Sequence, residues 1–309
     1  MIAGIRTRPS AERGEVVDWA LVFIAKSGTP NRATQGVKGK GGPARSRLAK
    51  RGEKAKIWAM RSLAPLLLLL AGLAPLRGQW QIFAEKLPAP GTWASFRMET
   101  LREGKVVSSG DLRFSVRPGR DIGGKPHVWF TVEPVMWLGS RERAPLRLLV
   151  RPDMDRAAAS RLIENSAEIV FSNPVKGAYH MTRDDIAWVS NWANLRYTSE
   201  LTLDDPATEK IELAGQTFAC ERLRMVATTV TDPPVVAKQT IEFKGRVWRS
   251  EASAFGVTRA EWEEKTTKGS DTKSESKRLT WLAQGKETPP TEPVDRGREF
   301  SVWRLIFKR

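Results

Sequence analysis

The stretch ASFRMETLREGKVVSSGDLRFSVR, residues 94–117, decides how this chain is read. Ala94, Phe96 and Met98 alternate with Ser95, Arg97 and Glu99; Leu112, Phe114 and Val116 alternate with Asp111, Arg113, Ser115 and Arg117. A period of two sends successive side chains to opposite faces of an extended strand, so each run predicts one apolar and one wet face. Arg102-Glu103-Gly104-Lys105 supplies the turn between them. The pair predicts an antiparallel hairpin, the unit of a sheet that buries one face.

The same pattern extends along the chain. Pro118-Gly119 and Gly123-Gly124 interrupt it before Val128, Phe130 and Val132 resume, and Leu146, Leu148 and Val150 follow. Trp129 has the opposite parity to Val128 and Phe130, so it is expected to face outward or into a second apolar layer. Residues 155–167 are rich in helix formers and predict a helix, with Asp153 or Asp155 capping its first turn. Residues 184–197 suit a helix or an irregular loop equally, with Ile186 and Val189 at helical spacing.

Strands return from Glu209 through Ile211 and Leu213, a Gly215-Gln216 turn, Phe218 to Val230, Ile241 to Trp248, and Val257 to Lys265. Near Glu221-Arg222 the apolar parity shifts from Phe218 and Cys220 to Leu223 and Met225, which predicts a β-bulge. Residues 265–277 contain no apolar side chain and are expected to form a hairpin loop or flexible linker. Leu279 to Leu282 suggests a last strand, and residues 285–309 an extended, proline-rich tail closed by an apolar segment.

Charge and hydropathy divide the chain further. Residues 1–59 hold 13 of the 51 basic residues and contribute +9 of the net +16. A stretch such as Lys38 to Arg47 could track phosphates, but it lacks interleaved aromatics and helical periodicity. It reads instead as a disordered basic leader or a mis-assigned N-terminal extension. No nucleic-acid partner is expected.

Residues 60–78 place Met60 and Arg61 before an apolar run, Leu63 to Ala74, of 12 residues. Spanning a bilayer takes roughly 20, so the run fits a cleaved signal peptide rather than a stable membrane span. Cleavage is expected near Ala74, Gly78 or Ala84, with the product periplasmic or secreted. Cys220 is the single cysteine, which excludes an internal disulfide and leaves stability to a core drawn from about 230 residues.

Three segments resemble exported bacterial proteins of the LolA/LolB-like, lipoprotein-sorting superfamily: Gly91-Thr92-Trp93, the hairpin Glu212 to Glu221, and Ala254 to Ala260. That resemblance implies a mainly β (α+β) domain over residues 79–284, a curved antiparallel sheet or unclosed half-barrel with a few short helices covering its mouth. It also implies an apolar or acyl ligand in the concave face. No ligand-contacting residue of the family maps onto this chain. No cysteine follows the apolar run, so a lipid-anchored N-terminus is not expected.

Few residues could carry covalent chemistry. His127 and His180 are the only histidines. His180 and Asp184 have the i, i+4 spacing that can pair ligands on a helix, but nothing completes a metal site, and no cofactor is expected. The acidic pairs Asp153/Asp155, Asp184/Asp185 and Asp204/Asp205 adjoin turn or helix-start signals, where carboxylates cap backbone N–H groups. Cys220 reads as a buried, inert thiol.

The expected function is therefore non-enzymatic: capture of an apolar or acyl ligand, with Phe96, Met98, Phe114, Phe130, Trp188 and Trp192 as candidate lining and Trp188 and Trp192 in a lid. One alternative is an envelope scaffold or protein-interaction module with a filled core. The other is a hydrolase using Cys220 or an acidic pair.

Overall fold

The computed structural model describes residues 81–136, 143–173, 177–234, 237–290 and 293–300. The signal-like segment, the basic leader, Trp80, Trp137, Trp303 and the apolar C-terminal segment lie outside the described residues. Twelve strands form one sheet: β1 (Thr92–Arg102), β2 (Lys105–Ile122), β3 (Lys125–Met136), β4 (Arg143–Val150), β5 (Glu168–Asn173), β6 (Gly177–Thr182), β7 (Arg196–Leu213), β8 (Gln216–Thr231), β9 (Gln239–Arg249), β10 (Val257–Lys268), β11 (Asp271–Lys286) and β12 (Arg298–Glu299). Their order across the sheet is β12-β6-β5-β4-β3-β2-β1-β11-β10-β9-β8-β7. Every pairing is antiparallel except the short β12–β6 pair. The sheet is unclosed, with β12 and β7 at its edges.

The opening hairpin forms as its alternation predicts. Arg102 pairs with Lys105 around Glu103 and Gly104, whose φ values of 52° and 76° make the left-handed turn that a two-residue hairpin needs. Inward residues then line up across neighbouring strands: Ala94, Phe114, Val132, Leu146 and Phe171 form one row, and Val116, Phe130, Leu148, Ile169 and Met181 the next. Cross-strand apolar pairs of this kind are what stabilise a sheet.

Among the described residues three short helices accompany the sheet: α1 (Gln81–Ala84), α2 (Arg156–Ser160) and α3 (Arg183–Trp192). Asp155 caps α2 by accepting from the Ala158 N–H at 2.7 Å. The helix expected over 155–167 gives way to turns after Ser160. Thr182 caps α3 in a reciprocal box with Asp185, which resolves the 184–197 ambiguity in favour of a helix. Thus α3 carries the chain from β6 to the opposite edge strand, β7. Glu85, just after α1, binds Arg249 of β9 at 2.6 Å and Arg156 of α2 at 3.3 Å, tying two helices to the sheet. Among the described residues no helix is long and apolar enough to cross a membrane.

Two polar regions behave differently from their composition. Residues 265–277 continue β10 and β11 as one long hairpin, with Thr266 opposite Lys273 and Lys268 opposite Asp271. Backbone pairing, begun by the buried residues Trp262 and Leu279, carries these strands outward without any apolar side chain of their own. The expected shift at Glu221-Arg222 is present: Phe218, Cys220, Leu223 and Met225 are all buried. Opposite Arg222, however, β7 leaves the ladder for four residues, Asp204 to Ala207, a wider excursion than a one-residue bulge.

Candidate binding site

Phe96, Phe114 and Phe130 are brought together, and all three are 0% exposed. Phe83 of α1 stacks on Phe114 with centroids 4.3 Å apart, and Phe255 lies 6.0 Å from Phe114 and 6.1 Å from Phe130. Phe96 meets Phe83 and Phe114 edge-on at 5.2 and 5.3 Å. The concave face here is thus filled by rings from α1 and the Ser250–Gly256 turn. Met98 is partly buried against the same core. Trp188 and Trp192 stack on α3 at 6.3 Å, and Trp188 is 39% exposed. Trp192 packs partly against the same main core as the phenylalanine cluster.

The other candidates have local roles. Cys220 is buried, with Sγ 3.2 Å from Thr258 Oγ1; burial pushes its thiol pKa up, against the pull of the Thr258 hydrogen bond. Such a thiol is a poor nucleophile, and Ellman's reagent is expected to label it only after denaturation. His127 Nδ1 lies 2.9 Å from the Lys125 carbonyl and His180 Nδ1 3.2 Å from that of Arg296. His180 belongs to β6 and Asp184 to α3, so their sequence spacing does not make one helix face. Among the described residues no group of three or more His, Cys, Asp or Glu side chains is placed to hold a metal.

Asp204 is the main surprise. Its side chain is only 4% exposed and accepts from Arg246 Nε at 2.7 Å and Arg224 at 3.3 Å. Arg222 Nε sits 3.1 Å away, and Arg222 also donates to the Asp205 carbonyl. Burial opposes ionisation of Asp204, but Arg246 and Arg222 outweigh it and hold the carboxyl below the usual range. The backbone contact expected of Asp204/Asp205 is joined by this arginine cluster, since the Asp205 N–H also favours the ionised Asp204 carboxyl. Sequence spacing could not reveal it, because Arg246 is 42 residues away and reaches Asp204 only through strand pairing. The one local clue was the parity shift beside Arg222.

The cluster borders a groove of about 540 Å³ on the face opposite the core. Strand register supplies two rungs of its wall. One runs through Arg224, Arg246, Glu261 and Arg278; the other through Val226, Lys244, Glu263, Ser276 and Leu101. Gly245 lies under the groove, where a Cβ would meet the Glu261 carbonyl oxygen at 2.0 Å and Trp262 Cα at 2.6 Å. A side chain there would force β9 and β10 apart. Glu261 binds Arg278 at 3.0 Å and Arg259 at 2.5 Å; despite partial burial, these arginines hold its carboxyl below the usual range. Arg259 also covers Trp248 at 5.0 Å, and the Trp248 N–H donates to Glu209 at 2.8 Å. The arrangement is a set of fixed charges suited to holding a ligand.

No family model and no curated protein matches the chain. Two solved structures are similar to it. One is the hypothetical lipoprotein YmcC from Escherichia coli K12, at 12% identity and a TM-score of 0.25, with 72% of this chain and 96% of that one covered. The other is a putative outer membrane lipoprotein-sorting protein domain from Vibrio parahaemolyticus, at 10% identity and a TM-score of 0.24, covering 73% and 94%. The fold assignment rests on the unclosed twelve-stranded sheet itself.

Proposed function

We propose that this chain is an exported, non-enzymatic binding protein of the cell envelope that recognises its ligand on the outer face of a filled half-barrel. The observation that carries this reading is the plug: Phe83 and Phe255 occupy the space against Phe96, Phe114 and Phe130, leaving all five rings buried. For an acyl chain to enter, at least one of them must leave. Exposing a buried phenylalanine costs on the order of 2–3 kcal/mol before any ligand is gained. The outer groove carries no such cost, since its wall already faces solvent.

A second reading, the acyl carrier lined by Phe96, Met98, Phe114, Phe130, Trp188 and Trp192, is favoured by one particular. Ala84 is a candidate signal-cleavage position, and cleavage there would remove Ile82 and Phe83 with the leader. Phe114 would lose its nearer stacking partner, keeping Phe130 at 6.0 Å, and the concave face would open beneath it.

Intact-mass and native mass spectrometry of the protein purified from its own envelope separates the two readings. The filled-core reading expects a mature chain that retains Phe83 and carries no stoichiometric lipid. A chain beginning after Ala84, with a bound lipid lost on Phe130→Trp, would overturn it in favour of the carrier.

A further inference from the structure

We infer that the outer groove binds a phosphate-type oxyanion, gripped by Arg224 and Arg246 with Lys244 beside them. This rests on the reading that the outer face is the binding face. Arg224 and Arg246 are register partners on β8 and β9, so two like charges stand directly opposite one another. Such a pair is unfavourable unless something between them compensates. Asp204 does so from the β7 excursion, accepting from Arg246 Nε and from one terminal nitrogen of Arg224.

A guanidinium has five N–H donors in a planar fork. Asp204 occupies one donor on each arginine, and both side chains remain more than half exposed. Their other donors have no protein acceptor among the described residues. Lys244, two residues along β9 and exposed, likewise has no ion-pair partner among them.

The acids in the groove are partly engaged elsewhere: Glu261 is taken by Arg259 and Arg278, while Glu263, opposite Lys244 in register, accepts from the Ser274 hydroxyl and keeps its charge. The donors left open are two forks aligned by a shared carboxylate, and Lys244 adds a point charge. Arginine forks match the paired oxygens of a phosphate, and lysine adds charge without fixing geometry. The groove volume leaves room for whatever carries the phosphate, and Leu101 with Val226, itself 39% exposed, gives that remainder an apolar border. A free phosphorylated solute and a phospholipid headgroup share this chemistry.

The test uses the full mature protein. Titration calorimetry with inorganic phosphate and with pyrophosphate probes the free anion. Co-sedimentation with phosphatidylcholine vesicles, with and without phosphatidylglycerol, probes the headgroup. Losing a charged hydrogen-bond donor predicts roughly tenfold weaker binding for Arg246→Gln. The exposed point charge of Lys244→Gln predicts roughly threefold. Lys125→Gln, at the β2–β3 turn two strands beyond β1, is expected to leave binding unchanged.

Phosphate binding that weakens in this order supports a free anion. Vesicle binding that needs phosphatidylglycerol and weakens in this order supports a headgroup. Absence of binding in both arms, or binding indifferent to Arg246 and Lys244, overturns the inference. If Arg246→Gln does not fold, Lys244→Glu decides, because Lys244 lies outside the Asp204 network. Failure here with no lipid in the core sinks only the oxyanion site, whereas a lipid-filled core sinks the outer-face reading as well.

Discussion

On the outer side of β3, β4 and β5, the residues Trp129, Leu149 and Val170 make a second apolar layer; on the outer side of β8 to β11, equivalent positions carry Arg224, Arg246, Glu261 and Arg278. Both regions alternate with the same period and bury the same inner face. They differ in what lies over them. Val294, from the proline-rich tail, packs on the apolar layer with Ile122 and Ala167. The tail is anchored by Arg296, which binds buried Glu168, and by the Phe300 N–H, which donates to the His180 carbonyl at 2.7 Å. Arg120 reaches the same Glu168 at 2.6 Å. An outer face can be apolar only where the chain returns to cover it; where nothing returns, charges hold one another in register and face solvent.

Substitutions on each side put this contrast to the test. The largest effect is expected at the shared inner face: Phe114→Ala removes the ring at the centre of the plug and should cost about 3–5 kcal/mol in denaturant unfolding. A loss below ~1 kcal/mol would show that the cluster is loosely packed and readily opened.

Next is Asp204→Asn, which leaves three arginines crowded around a neutral group and should lower the melting temperature at pH 7. The sign with pH follows from the depressed carboxyl. Its stabilising contribution is fully present above the unfolded-state pKa of about 3.9 and is lost as pH falls through the lower folded value. The gap between wild type and variant should therefore shrink between pH 5 and strongly acidic solution, as melts across that range will measure. A constant gap would mean the carboxylate charge is not what holds the arginines.

Val294→Ala trims the cover over the apolar layer and should cost about 1 kcal/mol, with faster amide exchange confined to residues 293–300. Spread of that exchange into β4 and β5 would make the tail part of the core rather than a cover. Val226→Thr, on the exposed rung, should change stability by less than about 0.5 kcal/mol. A larger loss would mean the groove is more buried in solution than the register implies.

How far the sequence foretold these features depended on the range of the interaction. The alternation in 94–117 identified β1 and β2, and the odd parity of Trp129 set it off the inner face, because both signals are written in neighbouring residues; that it joins a second layer came from the fold. The same logic mis-assigned 265–277, whose strands are held by backbone pairing and not by apolar side chains. Phe96, Phe114 and Phe130 are buried together, but their alternation could not say what sits on them. Phe83 and Phe255 come from segments without strand periodicity, and only chain folding brings them there.

Local pattern alone was enough to specify an antiparallel sheet with a continuous buried face and the place where its parity changes. Each of those follows from steric and solvation preferences acting over a few residues. Tertiary contacts alone set Phe83 and Phe255 on the inner phenylalanines, gathered Arg222, Arg224 and Arg246 around Asp204, and left Lys244 in the outer groove without an ion-pair partner among the described residues. Those outcomes depend on register between strands distant in sequence, which one residue of slip would reverse and which no local pattern encodes.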